Sequence, residues 1–581
     1  MRIELKGKDI RKNYSEDLLL DRGINNVLNF ISPKSEFLEE PSKLSNIKLG
    51  YDFIKNAIKD DERILLLVDS DCDGYCSAAI IYMYLKDIAP EVSIDVIAHD
   101  GKQHGLADIV SRVDINIDNY RYMIVPDAGT NDHEYFDMYS STKFLVIDHH
   151  DSNEEDIQTV GDNYVIINNQ LSPEYKNKAL PGAGVTWQVC RYMDKVDETD
   201  FAKKYVDLVS IAVISDVMNS TTPENRFIID YGLDNIHNPF IKELLSARAD
   251  QFSTTSDIIQ DKIAWYTTPI INGMCRSGEM DEKLRMFYAF VDGETMVPDT
   301  KRGAAEDDLV TRAALSRREA INAKSRQDRR RTKMTELASI KIEELDLLQN
   351  KILVLVLDER FLDLPPSLNG VVANQLAQLY SRPVLLGRVN NEGYLKGSGR
   401  GVETIDMNGF KSFLQSSNMF EYVSGHENAF GFSIPYSKLD RFLGWANDKL
   451  ADVDMNEDVY FVDFLRYGSD TDIKHIVYDT DSYKDLWGNF NKPPIIGLKD
   501  LKVNAKDILV MGAKKNTVKI IQDGVEYMFF RLSQDEVNEF LMYPELSIDL
   551  VGTMSLNTWG GKSTPQIIAQ GYEIADEKFA F

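Results

Sequence analysis

Cysteine is scarce in this chain: four thiols, Cys72, Cys76, Cys190 and Cys275, among 581 residues. They are scattered and lie partly inside apolar helical or strand patterns, which argues against a disulfide framework and for a reducing compartment. Cys72 and Cys76 have no CxxC partner elsewhere, so their spacing does not make a zinc site. No apolar run approaches the ~18 residues of a membrane span, and the charged start Met1-Arg2-Ile3-Glu4-Leu5-Lys6 does not read as a signal peptide. A cytoplasmic protein with no membrane partner is expected. Net positive charge is lacking as well: 65 Lys and Arg stand against 93 Asp and Glu, a formal charge of -28, which would repel a polyanion at long range.

Glycine and proline are both absent between Ala304 and Asn350. At about 1.5 Å per residue a continuous helix there would span roughly 60 to 70 Å, longer than one domain needs. Its middle, Asn322 to Lys333, reads as polar all round, which suits a solvated connector between domains. The scarce positive charge gathers on it. From Arg312 to Lys333 there are nine basic residues (Arg312, Arg317, Arg318, Lys324, Arg326, Arg329, Arg330, Arg331, Lys333) and two acids, Glu319 and Asp328. Such a run is either a solvated helix face or an electropositive wall facing a polyanion, and the acidic background favours the wall.

What is abundant is the apolar strand that ends in acids. Ile64 to Val68 runs into Asp69-Ser70-Asp71-Cys72-Asp73-Gly74, as expected of a strand buried on both faces of a parallel sheet. Strand periodicity would put the three carboxylates on one side, where burial without cations is prohibitive; an ordinary Asp-rich turn is the alternative. The pattern recurs at Tyr122 to Val125 before Pro126-Asp127-Ala128-Gly129, and at Phe144 to Ile147 before Asp148-His149-His150-Asp151. A fourth apolar segment, Leu208 to Ile214, leads into Ser215-Asp216. In an open parallel sheet the carboxyl ends of the strands share one rim where ligands bind.

Residues 1 to about 50 read as a polar, helical cap with Leu18-Leu19-Leu20 and Val27-Leu28-Phe30-Ile31 as packing stripes. Residues 50 to about 245 alternate apolar runs with amphipathic stretches (Ser77 to Leu85, Val185 to Met193), the signature of a doubly wound α/β domain. Pro181-Gly182-Ala183-Gly184 opens one of those helices, as a glycine turn approaching a phosphate or as a plain helix start. From 351 to about 450 a second set of strands and helices carries Lys396-Gly397-Ser398-Gly399-Arg400-Gly401, where Arg400 could fork phosphate oxygens. From about 458 the chain turns to short alternating segments, as in a small β barrel. Tyr527, Phe529, Phe530 and Trp559 there are either stacking faces for bases or core.

Asp69-Ser70-Asp71-Cys72-Asp73-Gly74, Asp127-Ala128-Gly129, Asp148-His149-His150 and Asp216 resemble the four motifs of the DHH phosphoesterase superfamily. The remainder is similar to its RecJ branch, single-strand-specific 5′→3′ exonucleases of bacteria and their phages. That likeness is carried by Leu20-Asp21-Arg22-Gly23-Ile24, Gly182-Ala183-Gly184-Val185, Glu224-Asn225-Arg226, Ile271-Asn272-Gly273 with Arg276, Gly397-Ser398-Gly399-Arg400 and Leu556-Asn557-Thr558-Trp559. The resemblance implies an N-terminal cap over 1–50, a DHH parallel-sheet domain over 51–300, a connecting helix over 301–350, a DHHA1 α/β domain over 351–455 and an OB-fold β barrel over 456–581. It implies hydrolysis of single-stranded DNA to 5′ mononucleotides with two Mn²⁺ or Mg²⁺ ions on Asp71, Asp73, Asp127, His149 and Asp216, in DNA repair, recombination or replication. His150 joins the catalytic set, and Asp69 and Asp148 stand behind the ligands. Asn272, Arg276, Ser398, Arg400 and His426 would bind phosphate, with Arg326, Arg330 and Trp559 along the strand. The connecting helix and the sheet would pinch a channel too narrow for duplex. A monomer is implied, meeting a single-strand-binding protein or a helicase.

Two positions depart from the resembling pattern. Leu67 stands where a histidine is common, removing one imidazole from the metal set, and His99 stands near where an arginine is common on the phosphate path. A catalytically weak or inactive DNA-binding scaffold on the same fold is the rival reading; the retained acids speak against it, because burying them without a cation is costly.

Overall fold

The structure, a computed structural model, describes the chain apart from residues 102–103, 111–115, 154–155, 253, 306, 403–408, 456–457, 560–561 and 576–581 and the side chains of Asp108 and Trp559. It divides into two compact units. One comprises residues 24–327 with 485–492, the other residues 1–23, 328–484 and 493–581.

The first unit is built on a five-stranded parallel sheet in the order Ile94–Ala98, Ile64–Val68, Tyr122–Pro126, Lys143–Asp148, Tyr164–Asn168. Every residue of Ile64–Val68 is fully buried, which is why that run has no polar alternation. At about 1.5 to 3 kcal/mol for each buried aliphatic side chain, this strand is a rigid base for the acids at its exit. Helices Cys72–Ile88, Gly182–Asp197 and Val206–Ser215 pack in the same core. The last of these corrects an expectation, since Leu208 to Ile214 was expected to deliver Asp216 from the sheet rim. Val206 to Ile214 are all buried; a helix apolar on every side shows no period that separates it from a buried strand.

The strand exit differs too. The strand ends at Val68, Asp71 caps helix Cys72–Ile88 by accepting from Gly74 N at 3.1 Å, and Asp73 sits in that helix's first turn. The three acids therefore do not share a strand face. Gly74 permits the sharp turn, because a Cβ there would fall 2.6 Å from Asp69 Cβ and 2.8 Å from its carbonyl oxygen.

The second unit holds two sheets. One is mixed and five-stranded, in the order Tyr422–His426, Ala429–Pro435, Tyr394–Arg400, Val384–Val389, Leu353–Val356. The other is seven-stranded: Phe464–Tyr467, Ile495–Asn504, Glu545–Trp559, Lys562–Ala575, Val525–Phe530, Thr517–Gln522, Ile508–Met511. Two of its strands are far longer than the short segments expected and pair antiparallel with a register shift at Val551/Gly552. The expected helical cap at the N-terminus instead opens with a strand, Arg2–Leu5, paired in parallel with Val459–Val462 in this unit. Leu18 and Leu19 are buried, but Leu28, placed in a packing stripe, is exposed.

The long helix is Arg312–Glu344, 33 residues and so about 50 Å. It is shorter than expected because Leu309–Thr311 forms a strand with Met296–Pro298 and the chain turns at Asp346 with φ 48°. Its middle, Asn322 to Lys333, is not solvated on every side, since Ala323 joins the first unit's core and Gln327 is buried; on either side of that stretch Ala320 packs in the same core and Met334, Ala338 and Ile342 in a core of the second. No helix among the described residues is long and apolar enough to cross a membrane.

Candidate metal centre

Four of the expected residues converge in the first unit. His149 Nε2 lies 3.3 Å from Asp127 Oδ1, 3.6 Å from Asp216 Oδ2 and 3.7 Å from Asp73 Oδ2. Asp127 and His149 follow adjacent strands, Asp73 comes from the helix after a third, and Asp216 caps helix Val206–Ser215. Asp73, Asp127 and His149 are buried; Asp216 stands at the rim.

Backbone groups fix these side chains. Asp73 accepts from Gly182 N and Ala183 N, both at 2.8 Å, so the glycine turn considered for a phosphate serves a carboxylate instead. This satisfies helix N-terminal donors with a negative charge. Asp127 holds the left-handed backbone conformation, φ 64°, with its N–H on Ile147 O at 2.8 Å; Asp is among the few residues that tolerate it. Asp148 accepts from the N–H groups of Thr130, His149 and His150 at 2.9, 2.7 and 3.2 Å and from His150 Nδ1 at 2.8 Å. It thereby shapes the turn that presents both histidines.

Electrostatics set the two kinds of carboxylate apart. Burial, then the charges of Asp73, Asp71, Asp69 and Asp216, push Asp127 well above the usual carboxylate range. Burial also raises Asp73, and burial with the charges of Asp73 and Asp71 pushes Asp216 up to about 8. Burial lowers His149, keeping its imidazole neutral and able to donate a lone pair. Asp148 moves the other way: burial alone would raise it, but the hydrogen bond and charge of His150 hold it below the usual range. Against the cost of its own burial, His150 is raised to about 10 by that pairing. Asp127 Oδ1 is buried with no hydrogen-bond partner. Mutually repelling carboxylates, a neutral imidazole and an orphaned oxygen fit a hard or borderline divalent cation such as Mn²⁺ or Mg²⁺.

Asp71 does not join this group. It falls with Asp69 and His104, whose Nδ1 is 2.5 Å from Asp69 Oδ2. Sequence reasoning missed His104, which precedes Gly105 in a loop with no strand or helix pattern to mark it. His99 does not sit on an open phosphate path; it is fully buried, with Nε2 3.2 Å from Asp69 Oδ1.

The expected phosphate contacts are mixed. Asn272 Oδ1 accepts from Cys72 N at 3.0 Å, tying its helix to the start of helix Cys72–Ile88. Arg276 is half-buried, and its Nε has no hydrogen-bond partner. Arg326 is engaged by Glu282 at 2.6 Å; Arg312, Arg317 and Arg318 pair with Asp292, Glu243 and Asp299. Acids distant in sequence thus neutralise much of the expected electropositive wall. Arg329, Arg330 and Lys333 are exposed and make no ion pair among the described residues.

In the second unit, Ser398 and Arg400 lie on strand Tyr394–Arg400 beneath the start of helix Asn369–Tyr380. A Cβ on Gly370 would fall 2.6 Å from Arg400 Nη2 and 3.6 Å from Ser398 Oγ. His426 is exposed at the end of strand Tyr422–His426. Tyr527 and Phe529 are core, whereas Phe530 is half exposed. The side chain of Trp559 lies outside the described residues.

Residues 63–213 match the DHH family, N-terminal domain, and residues 476–571 match the RecJ OB domain. These matches agree with the parallel sheet of the first unit and the seven-stranded sheet of the second. A protein of Bacillus subtilis (strain 168), provisionally named the SPbeta prophage-derived single-strand DNA-specific exonuclease YorK, is 34% identical over 578 residues, 97% of this chain and 96% of that protein. The single-stranded-DNA-specific exonuclease RecJ of the same organism is 22% identical over 576 residues, 96% of this chain and 68% of its own length. Among solved structures, RecJ from Thermus thermophilus in complex with Mn²⁺ superposes with a TM-score of 0.71 at 17% identity. The match covers 98% of this chain and 79% of that one, a likeness of fold.

Proposed function

We propose that this chain, which belongs to the RecJ-like family of DHH proteins, is a metal-dependent exonuclease that degrades single-stranded DNA from its 5′ end to 5′ mononucleotides. The observation that carries this reading is the convergence of Asp73, Asp127 and Asp216 on His149 Nε2 at 3.3 to 3.7 Å, with no cationic side chain among the four to offset the acids. Such a cluster is costly unless a cation compensates it.

Asp73, Asp127, His149 and Asp216 would hold one divalent ion, and Asp71 would contribute to a second. When bound, a pair of such ions supplies Lewis acidity that activates water and neutralises charge on the phosphodiester. The chain's own groups do the rest. Gly182 N and Ala183 N hold Asp73 in place and offset part of what burial costs its charged form, and burial keeps His149 a neutral donor. Asp148 keeps His150 protonated at neutral pH, and half-exposed His150 offers a charged hydrogen-bond donor to a phosphate oxygen. Arg276 in the first unit, and Ser398 with Arg400 beside a helix N-terminus in the second, each suit a phosphate oxygen. His426 is a further donor. Single-stranded DNA is the substrate such groups would read by its backbone, with the C-terminal sheet carrying the strand.

The raised carboxylates fix a pH dependence. Groups whose folded pKa lies above about 4, Asp216 as high as about 8, keep protons in the folded metal-free protein that the unfolded chain has released. Their contribution to stability is therefore present below pH 4 and lost as pH rises towards 8. Loading the site with Mn²⁺ must displace those protons. Calorimetric titration with Mn²⁺ at pH 7 is expected to release protons, seen as an enthalpy that changes with the buffer's ionisation heat, and affinity should rise up to about pH 8. A buffer-independent enthalpy would contradict the assignment.

The activity test is incubation with Mn²⁺ and labelled single-stranded oligonucleotides, with and without a 5′ phosphate, beside a blunt duplex. Mononucleotides released from the 5′ end of single strands are expected. Binding without cutting would favour the scaffold.

A further inference from the structure

Residues 485–492 lie far along the chain yet belong to the first unit, between segments that belong to the second. Asp485 anchors them: its carboxylate pairs with Arg226 Nη2 at 3.2 Å, and its carbonyl accepts from Gln260 Nε2 at 3.2 Å. Leu486 and Trp487, which follow, are buried. Gly488 and Asn491 then close a tight turn, with Gly488 N on Asn491 O at 2.9 Å and Asn491 N on Gly488 O at 3.2 Å. Asn489 and Phe490 form its tip.

Asn489 grips the chain on both sides of Asp216. Its Nδ2 donates to Ile214 O at 3.0 Å and to Val213 O at 3.5 Å, and its own carbonyl accepts from Ser220 N at 3.4 Å and from Ser220 Oγ. The last carbonyls of a helix have no partner within it. Those of helix Val206–Ser215 receive one from a residue 275 positions beyond Ile214. A second observation shows that this turn needs holding. Val217, directly after Asp216, has φ 54°; glycine is usual there beyond a helix, and a β-branched side chain is strained. Such a conformation persists only where its surroundings over-determine it. Asp216 is also the acid with least packing around it, its side chain 30% exposed against 1% for Asp73 and 2% for Asp127.

We propose that Asn489 is a positioning residue for Asp216: its amide and carbonyl staple the strained turn that presents this carboxylate, so that a segment from the C-terminal region completes the metal centre. The inference rests on Asp216 being a metal ligand, as in the proposed function. Mn²⁺ uptake by chelator-stripped protein, followed by the loss of the free-ion electron paramagnetic resonance signal, tests it. Asn489→Asp keeps the size and the main-chain carbonyl but replaces the amide donor with an oxygen that repels those of Val213 and Ile214. It is expected to weaken Mn²⁺ by about 10- to 100-fold, and turnover lost at limiting Mn²⁺ should return when Mn²⁺ is raised. In Asp216→Asn protein the same change should cost less than about twofold more, because two residues that act through one contact are not additive. Phe490→Gly keeps the turn, suits the φ of 64° at that position and should leave Mn²⁺ affinity unchanged. Asn489→Ala and Ser220→Ala, each removing part of the staple, repeat the measurement should circular dichroism show the aspartate variant misfolded. Unchanged Mn²⁺ affinity in folded Asn489 variants, a loss that adds in full to that of Asp216→Asn, or an equal loss from Phe490→Gly would overturn this inference and leave the metal centre standing. No Mn²⁺ bound by the unsubstituted chain would overturn the proposed function and this inference together.

Discussion

Asp127→Asn is expected to abolish release of 5′ mononucleotides, by about 10³-fold or more, equivalent to about 4 kcal/mol of transition-state stabilisation. Asp127 faces His149 Nε2 at 3.3 Å, lies under the charges of four other aspartates, and leaves Oδ1 with no partner. Asparagine preserves the shape and the tolerance for the left-handed backbone that Asp127 adopts at φ 64°, but it cannot supply a charged ligand. The same change relieves repulsion in the metal-free protein. The variant should therefore melt no lower than the unsubstituted chain without metal and should lose most of the rise in melting temperature that Mn²⁺ produces, a trade of function against stability expected at such sites. Undiminished cutting by a correctly folded variant would refute the role of Asp127.

Gly182→Ala is expected to be nearly as damaging without replacing any charged residue. A Cβ at residue 182 would fall 2.2 Å from Asp127 Oδ1, 2.8 Å from its Cγ and 2.7 Å from its Cβ. Rotating the carboxylate cannot relieve the last contact, so the strand exit or the helix start must move. Moving the helix start disturbs the N–H groups of Gly182 and Ala183 on Asp73. Overpacking of this kind costs about 1 to 3 kcal/mol, and a displacement near 1 Å at reacting groups costs on the order of 10²-fold in rate. A fall of that size in turnover, with weaker Mn²⁺ uptake and a lower melting temperature, is the expected result. Unchanged metal affinity would show that the turn does not position the carboxylates.

Much of the site is legible in the sequence, for reasons that also define where legibility ends. Ile64 to Val68, Tyr122 to Val125 and Phe144 to Ile147 are unbroken apolar runs ending in polar residues, and the structure makes each a buried parallel strand with its acid or histidine at the exit. The same kind of run at Leu208 to Ile214 is a helix, because a segment buried on every side carries no periodic signal. Spacing put Asp69, Asp71 and Asp73 together, but the chain turns into a helix after Ser70 and splits them between two clusters. The basic run from Arg312 to Lys333 was visible; its neutralisation by Glu243, Glu282, Asp292 and Asp299 depends on tertiary contacts that no local pattern encodes. His104 was hidden for the same reason.

Diffraction from crystals of the protein soaked in Mn²⁺, collected at the manganese edge, tests most directly whether the converging acids hold a cation. A strong anomalous peak is predicted within about 2.0 to 2.6 Å of carboxylate oxygens of Asp73, Asp127 and Asp216 and of His149 Nε2. A map with no peak there, at Mn²⁺ concentrations that support cutting, would contradict the account.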